Sequence, residues 1–293
     1  MEEKQFQVLD TYQDFQDYWS RASSKTIDEQ VSLWQTSYMA RYPELLDKQV
    51  RSYRGDNMAW EDIARRVFLA FPERLPRIQA ARDNILASYG SVCAQARQRL
   101  GIDFAIALVV YVGIGCGAGW ATTYGGQAAI LLGLENIAGE KWHTRARLRG
   151  LISHEIGHLI HMRWRGEWGE AWNSERDPLF LLYREGFAQR CEHLINGKDT
   201  WHMAPRKAWL TWCERNTDWL AGEFLRRVRV GMPTNDFFGS WFSIRGKKQT
   251  GYFLGHALIC EFEKEYSLRT IALLEPGAVR ELALNYLESA EMR

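Results

Sequence analysis

The sequence predicts a mostly helical α+β fold in which a small mixed sheet separates two helical regions. Apolar residues recur at three- and four-residue spacing over residues 1–100 and again from residue 201 onward, which is typical of amphipathic helices. Between Gly101 and Gly139 the pattern changes to short apolar runs bounded by glycine, which is typical of buried strands. At 293 residues, the chain is long enough to bury a large core.

These patterns divide the chain into three regions. Residues 1–100 form an N-terminal helical region, with helices expected over 12–19, 27–50, 59–71 and 78–100 and with Asp56 as a helix N-cap. Residues 101–200 form a central region, with strands over 104–112, 118–124 and 128–134 and helices over 144–163 and 179–195. Residues 201–293 form a C-terminal helical lobe, broken at Gly231, Gly239, Gly246 and Pro276. We assign the aromatic residues of the first region to the core: Tyr12, Phe15, Trp19, Trp34, Tyr38 and Trp60.

Charge and cysteine content exclude several classes of protein. The formal net charge is +1, so no overall positive field favours nucleic acid. Five cysteines without a C-x-x-C pair argue against a disulfide framework and favour a reducing compartment. We expect no secretory signal peptide, because no basic segment followed by an apolar core opens the sequence. A cytoplasmic location fits these observations best.

The uncharged stretch from Phe104 to Leu134 raises the question of a membrane span. Only its first part, up to Ile114, is strongly apolar, and about eleven residues cannot cross a layer that needs about twenty. The glycines that follow, between Gly113 and Gly119, do not form a phosphate loop, because no G-K-[ST] and no G-x-G-x-x-G opening a helix is present. We therefore expect a turn between soluble strands, with no membrane span and no nucleotide site.

The segment His154-Glu155-Ile156-Gly157-His158 carries the H-E-x-x-H pattern. Residues four apart in a helix share one face, so His154 and His158 can bind one zinc ion with Glu155 beside them as general base. The surrounding apolar residues recur at helical spacing, which predicts a buried helix with one polar stripe. Two ordinary histidines on a helix are the alternative, but a buried helix rarely carries such groups without partners.

A catalytic zinc site uses three protein ligands and leaves a position for water, so a third ligand must lie downstream. The H-E-x-x-H-x-x-G-x-x-H arrangement is excluded, because position 161 is His and position 164 is Trp. His161 shares the histidine face but lies about 10 Å along the helix axis from His154, which leaves it near the metal, in contact with substrate or without a special role. Glu185 points away from the apolar stripe of its helix, and periodicity alone does not decide between solvent and a polar cleft.

An H-E-x-x-H helix followed by a helix bearing Glu185-Gly-Phe-Ala resembles the gluzincin metallopeptidases, the clan of the thermolysin-like enzymes and many aminopeptidases. The resemblance covers roughly residues 104–265 and implies that Glu185 is the third zinc ligand. It also implies that strand 128–134 is the sheet edge that aligns the substrate, and that Tyr252 or His256 stabilises the transition state. Glu192 is then a candidate partner for a zinc-bound histidine.

Two features depart from the clan's pattern. Twenty-six residues separate His158 from Glu185, a longer spacing than usual, which an insertion over 164–174 would explain. The usual spacing falls on Asp177, which we interpret instead as the N-cap before Pro178. No clear G-x-M-E-N segment precedes the motif; Leu134-Glu135-Asn136 is only faintly similar, so aminopeptidase and endopeptidase activity both stay open.

The expected function is hydrolysis of peptide bonds in a peptide or protein substrate, with Zn²⁺ held by His154, His158 and Glu185. Glu155 takes a proton from the attacking water and passes it to the leaving amine. Two alternatives remain at this point: a helical binding protein that keeps a peptidase-like fold without catalysis, and a zinc hydrolase of a non-peptide amide.

Overall fold

The computed structural model describes residues 7–54, 58–168, 177–204, 207–239 and 242–291. Helices dominate these residues, and one four-stranded mixed sheet accompanies them, which confirms the predicted fold class. The chain forms two compact units, one of Met1–Arg97 and Ile102–Ile152, the other of Gln98–Gly101 and Ser153–Arg293. The N-cap predicted at Asp56 lies outside the described residues, as does most of the predicted insertion. Within the part of the chain that the structure describes, no helix has both the length and the apolar character needed to cross a membrane.

Helices make up most of the first unit. They are α1 (Tyr12–Ala22), α2 (Ile27–Leu33), a π turn (Trp34–Tyr38), a 3-10 turn (Met39–Arg41), α3 (Pro43–Arg54), α4 (Trp60–Leu69), α5 (Phe71–Leu100) and α6 (Leu134–Gly139). The expected helix break before residue 78 does not occur. Helix α5 begins at Phe71 and continues past Pro72 and Pro76. Proline in a first helical turn removes no hydrogen bond, so Pro72 starts the helix rather than ending it. Tyr12, Phe15, Trp34 and Tyr38 are buried, as a core assignment requires, whereas Trp19 and Trp60 are only half-buried.

The sheet of the first unit has the order β1-β2-β4-β3. Its strands are β1 (Val8–Asp10), β2 (Ala107–Tyr111), β3 (Gly119–Tyr124) and β4 (Gln127–Gly133). β2 pairs in parallel with β1 and with β4, in registers that set Val8 opposite Leu108 and Ala107 opposite Ala129. β3 and β4 form an antiparallel hairpin whose turn, Gly125-Gly126, has positive φ at both residues.

The sheet order corrects the expected edge strand. Residues 128–134 were expected at the edge, but β4 lies between β2 and β3, and both of its sides are already paired. The edge strands are β1 and β3. β1 is too short to be recognised from the sequence pattern. An extended substrate therefore has no free backbone along β4 on which to add as a further strand.

The glycine-rich segment after β2 surrounds the carboxylate of Glu135. The N–H groups of Gly113 and Gly115 donate to Glu135 at 2.7 and 3.0 Å. A side chain at Gly113 would lie 2.7 Å from the Tyr111 ring, so the close approach requires glycine. Burial raises the pKa of Glu135, although both amide hydrogen bonds favour its charged form. Both oxygens are thus engaged by backbone, which does not fit capture of a substrate amino group.

The described residues of the second unit are mainly helical. They are the end of α7 (Arg145–Arg165), α8 (Pro178–Asn196), α9 (Lys207–Arg215), α10 (Thr217–Val230), a 3-10 turn (Asn235–Phe237), α11 (Thr250–Phe262), α12 (Leu268–Ala272) and α13 (Pro276–Glu291). The predicted breaks near Gly231 and Gly246 fall between helices, and both glycines have positive φ. Pro276 begins α13, which agrees with a boundary there. Three of these helices, α7, α8 and α11, carry the residues considered next.

Candidate metal centre

The H-E-x-x-H segment lies on α7, as its spacing predicts. His154 and Glu155 are buried, with 3% and 6% of their surface exposed, and the His158 side chain is 12% exposed. One helical turn separates the two histidines, and their ring centroids are 4.8 Å apart. The local geometry therefore brings both imidazoles to one place inside the second unit.

Helix α8 begins where its sequence predicts. The Asp177 side chain accepts a hydrogen bond from the Leu179 N–H at 2.9 Å and also pairs with Arg280, while Pro178 occupies the first turn. Asp177 is thus the N-cap of α8 and takes no part in the histidine cluster. Glu185 lies two turns further along this helix.

Glycines allow these helices to approach closely. A side chain at Gly157 on α7 would lie 2.8 Å from the Cβ of Cys191 and 2.9 Å from the Cα of Ala188 on α8. A side chain at Gly186 on α8 would lie 2.8 Å from the Cα of Gly255 on α11. These glycines directly adjoin His158 and Glu185, so the backbone contacts draw the side chains of three helices together.

Two histidine nitrogens converge on a single oxygen of Glu185. Its Oε2 atom lies 3.3 Å from Nε2 of His154 and 3.4 Å from Nε2 of His158. The three candidate ligand atoms all lie within 4.8 Å of one another. A tetrahedral zinc ion with bonds of about 2.0–2.1 Å keeps its ligands about 3.3–3.4 Å apart. Two of the three separations match this spacing, so the donor set suits a metal ion such as zinc.

Charges within the cluster favour the metal-binding forms of His154 and Glu185, whereas at His158 they favour the protonated ring, whose proton a bound metal would have to displace. Burial lowers the pKa of His154 to about 4, which keeps this ring neutral near pH 7. Burial alone would raise the pKa of Glu185, but His158 and His154 together hold it well below its usual range. Burial also opposes charge on His158, yet the carboxylates of Glu185 and Glu155 raise its pKa. A neutral imidazole and an ionised carboxylate are the states that coordinate a cation.

Tyr252 joins this cluster from α11. Its ring centroid lies 5.5 Å from that of His154. Burial, reinforced by the negative charges of Glu185 and Glu155, raises the pKa of Tyr252 well above its usual value. The hydroxyl group therefore stays protonated and is able to donate a hydrogen bond.

His256, the other candidate for stabilising the transition state, packs against a different set of side chains. Its ring packs 4.3 Å from that of His193 and 5.3 Å from that of Trp201, and one ring nitrogen lies 3.6 Å from the Cys260 sulfur. Burial lowers the pKa of His256 to about 3. Residues four apart on a helix are separated by about 6 Å along its axis, which explains why Tyr252 reaches the cluster and His256 contacts other residues.

His161 also lies apart from the candidate ligands. Its Nε2 atom is 2.9 Å from the Tyr183 hydroxyl, which donates to the carbonyl oxygen of Ile271 at 2.6 Å. Burial lowers the pKa of His161 well below its usual value. Its contacts are thus those of a core histidine that links helices.

Behind His154, Glu192 and His202 form a second buried group that contains the same histidine. Glu192 lies 4.0 Å from Nδ1 of His154 and 2.7 Å from Nδ1 of His202. The sequence pattern indicated Glu192, seven residues beyond Glu185, but not His202, because this histidine sits in a turn without periodicity.

Comparisons of the chain with protein-family models, with curated proteins and with solved structures found no match.

Proposed function

We propose that this protein is a zinc-dependent hydrolase that cleaves peptide bonds in a peptide or protein substrate. The observation that carries the proposal is the convergence of His154 Nε2 and His158 Nε2 on Glu185 Oε2, at 3.3 and 3.4 Å. Two histidines and one carboxylate leave the fourth position of a tetrahedral site open, as catalytic zinc requires. When bound, zinc lowers the pKa of a water molecule and polarises a carbonyl group.

Glu155 supports catalysis over a purely structural metal site. It follows His154 directly and is buried, and its charge acts on both His158 and Tyr252. A structural metal site has no use for a general base beside its ligands. In the proposed reaction, Glu155 accepts the proton of the attacking water and delivers it to the leaving nitrogen.

Tyr252 supplies the second polar group that the reaction needs. Hydrolysis of an amide places negative charge on the former carbonyl oxygen in the transition state. A tyrosine that stays protonated beside His154 is suited to donate a hydrogen bond to that oxygen.

The choice of a peptide substrate, rather than another amide, rests on the resemblance of H-E-x-x-H and Glu185-Gly-Phe-Ala to the gluzincins. We also propose a cytoplasmic location, which the five unpaired cysteines favour.

The first test is the metal content of the purified protein by elemental mass spectrometry. We expect about one zinc per chain in the wild type and a strongly reduced content in Glu185→Ala, because a catalytic site has three protein ligands. Asp177→Ala is the matched control: it removes another carboxylate of the same helix, one that caps rather than binds metal. It should keep its zinc while losing about 1 kcal/mol of stability.

The second test is hydrolysis of a peptide library by the zinc-loaded wild type. New amino termini, detected by mass spectrometry, would identify the bonds cleaved and separate aminopeptidase from endopeptidase activity. A wild type that binds no zinc after reconstitution, or that binds iron instead, contradicts the proposed metal site. Zinc binding without cleavage of any peptide contradicts the proposed reaction.

A further inference from the structure

Glu192 and His202 lie on the side of His154 that faces away from Glu185. Glu192 is completely buried and His202 is 5% exposed. Both oxygens of Glu192 contact His202: Oε2 lies 2.7 Å from the ring Nδ1 atom, and Oε1 accepts from the backbone N–H at 3.2 Å. The carboxylate is therefore held by ring and backbone of the same residue.

The spacing of this second group differs from that of a metal site. Two ligands on a tetrahedral zinc ion lie about 3.3 Å apart, as in the first cluster. The 2.7 Å between Glu192 and His202 is instead the length of a charge-assisted hydrogen bond. We therefore interpret Glu192 and His202 as a hydrogen-bonded pair and not as ligands of a second ion.

The Nδ1 atom of His154 faces this pair. It is buried, has no hydrogen-bond partner among the described residues, and lies 4.0 Å from Glu192 Oε2. A histidine that binds metal through Nε2 carries its proton on Nδ1, and a carboxylate usually accepts that proton's hydrogen bond. Glu192 is the carboxylate in position to do so after a small rotation of the ring.

We propose that His202 is a positioning residue of the metal site and acts through Glu192. By donating to Glu192 from both ring and backbone, His202 holds the carboxylate behind His154. The carboxylate in turn fixes the tautomer and orientation of His154 and strengthens it as a ligand. This inference rests on the metal site of the proposed function, and it adds a residue that lies outside both sequence motifs.

The test compares His202→Leu with His202→Asn. Leucine removes the ring donor, whereas the asparagine amide places an N–H near the position of Nδ1 and so retains the hydrogen bond to Glu192. We expect His202→Leu to weaken zinc binding about 10–100-fold, measured by competition with a chelator, and His202→Asn to recover most of the loss. His161→Leu serves as control, since it removes another buried histidine of the same unit that hydrogen-bonds Tyr183 instead.

Two further readouts separate positioning from a general loss of stability. In the cobalt-substituted protein, we expect the visible absorption bands to shift in His202→Leu and to return in His202→Asn, because the geometry around the metal changes. The thermal stability of the metal-free proteins, measured in parallel, shows how much of the effect is structural. His161→Leu should lower thermal stability without changing the cobalt spectrum.

The inference is overturned if His202→Leu binds zinc as tightly as the wild type. An equal loss of affinity in both variants with an unchanged cobalt spectrum also overturns it, because the hydrogen bond then has no role. A wild type that binds zinc tightly and cleaves no peptide contradicts the hydrolase proposal alone, whereas one that binds no zinc contradicts both.

Discussion

The backbone of Gly186 on α8 lies against that of Gly255 on α11, so closely that a side chain on Gly255 would be 3.0 Å from the Gly186 Cα atom. This contact lies one residue after Glu185 and three residues after Tyr252. It therefore fixes how far the candidate third ligand stands from the candidate hydrogen-bond donor. The shape of the site depends on two residues that have no side chains.

Replacing Gly186 with alanine should separate α8 from α11. Since the new methyl group meets backbone atoms that cannot rotate away, we expect the free energy of unfolding to fall by about 1–3 kcal/mol. Urea denaturation of the metal-free protein measures it. Gly90→Ala is the matched control: Gly90 lies within α5 with nothing near its added methyl group, so alanine should stabilise the chain by about 0.4–1 kcal/mol. Equal stability of Gly186→Ala and wild type would contradict the close contact.

Replacing Glu155 with glutamine keeps the size of the side chain but removes its basicity. We expect kcat for peptide hydrolysis to fall by about 10²–10⁴, because general-base catalysis is lost. Zinc content, measured on the same preparation, should stay near that of the wild type, since Glu155 is not one of the three candidate ligands. A variant that keeps its activity would show that another group takes the proton.

Replacing Tyr252 with phenylalanine removes one hydroxyl group and little else. If this group stabilises the developing oxyanion, kcat should fall about 10²–10³-fold while KM changes little. His256→Leu is the comparison, because His256 contacts His193 and Trp201 rather than the ligand histidines. Steady-state kinetics on both variants decide the matter; a larger fall in kcat for His256→Leu would reverse the assignment.

Glu223 provides a prediction about pH that is independent of the metal site. Hydrogen bonds from Arg226 and Arg227 lower the pKa of Glu223 to about 2. Because the folded pKa lies below the unfolded one, the stabilisation is fully present above about pH 4.5 and is lost as pH falls towards 2. We expect Glu223→Gln to cost about 1 kcal/mol at pH 7, after allowing for screening by water, and much less at pH 2.

Denaturation by urea at a series of pH values measures this difference. Glu261→Gln is the matched control, since Glu261 pairs with Lys264 on the exposed surface. Its stability should change by no more than a few tenths of a kcal/mol at any pH. If the loss of stability in Glu223→Gln does not depend on pH, then Glu223 stabilises the fold through packing and not through its charge.

The sequence alone determined features that depend on neighbours along the chain. A helix repeats every 3.6 residues, so the spacing of His154 and His158 places both rings on one face wherever the helix packs. The N-cap at Asp177 follows from the same kind of local geometry. The mostly helical fold class was equally readable from apolar periodicity.

Only the tertiary structure decided which distant groups meet. Asp177 had the usual ligand spacing and Glu185 had the resemblance of its Glu-Gly-Phe-Ala segment, and the glycine contacts of α7, α8 and α11 bring Glu185 to the histidines. His202 gave no signal because its partner is set by packing, not by period. The inner position of β4 was mispredicted for the same physical reason, and the sequence left the choice between Tyr252 and His256 open because it does not show which residues each contacts. Short-range periodicity fixes which face a residue occupies, but the close packing of helices and strands fixes what that face contacts.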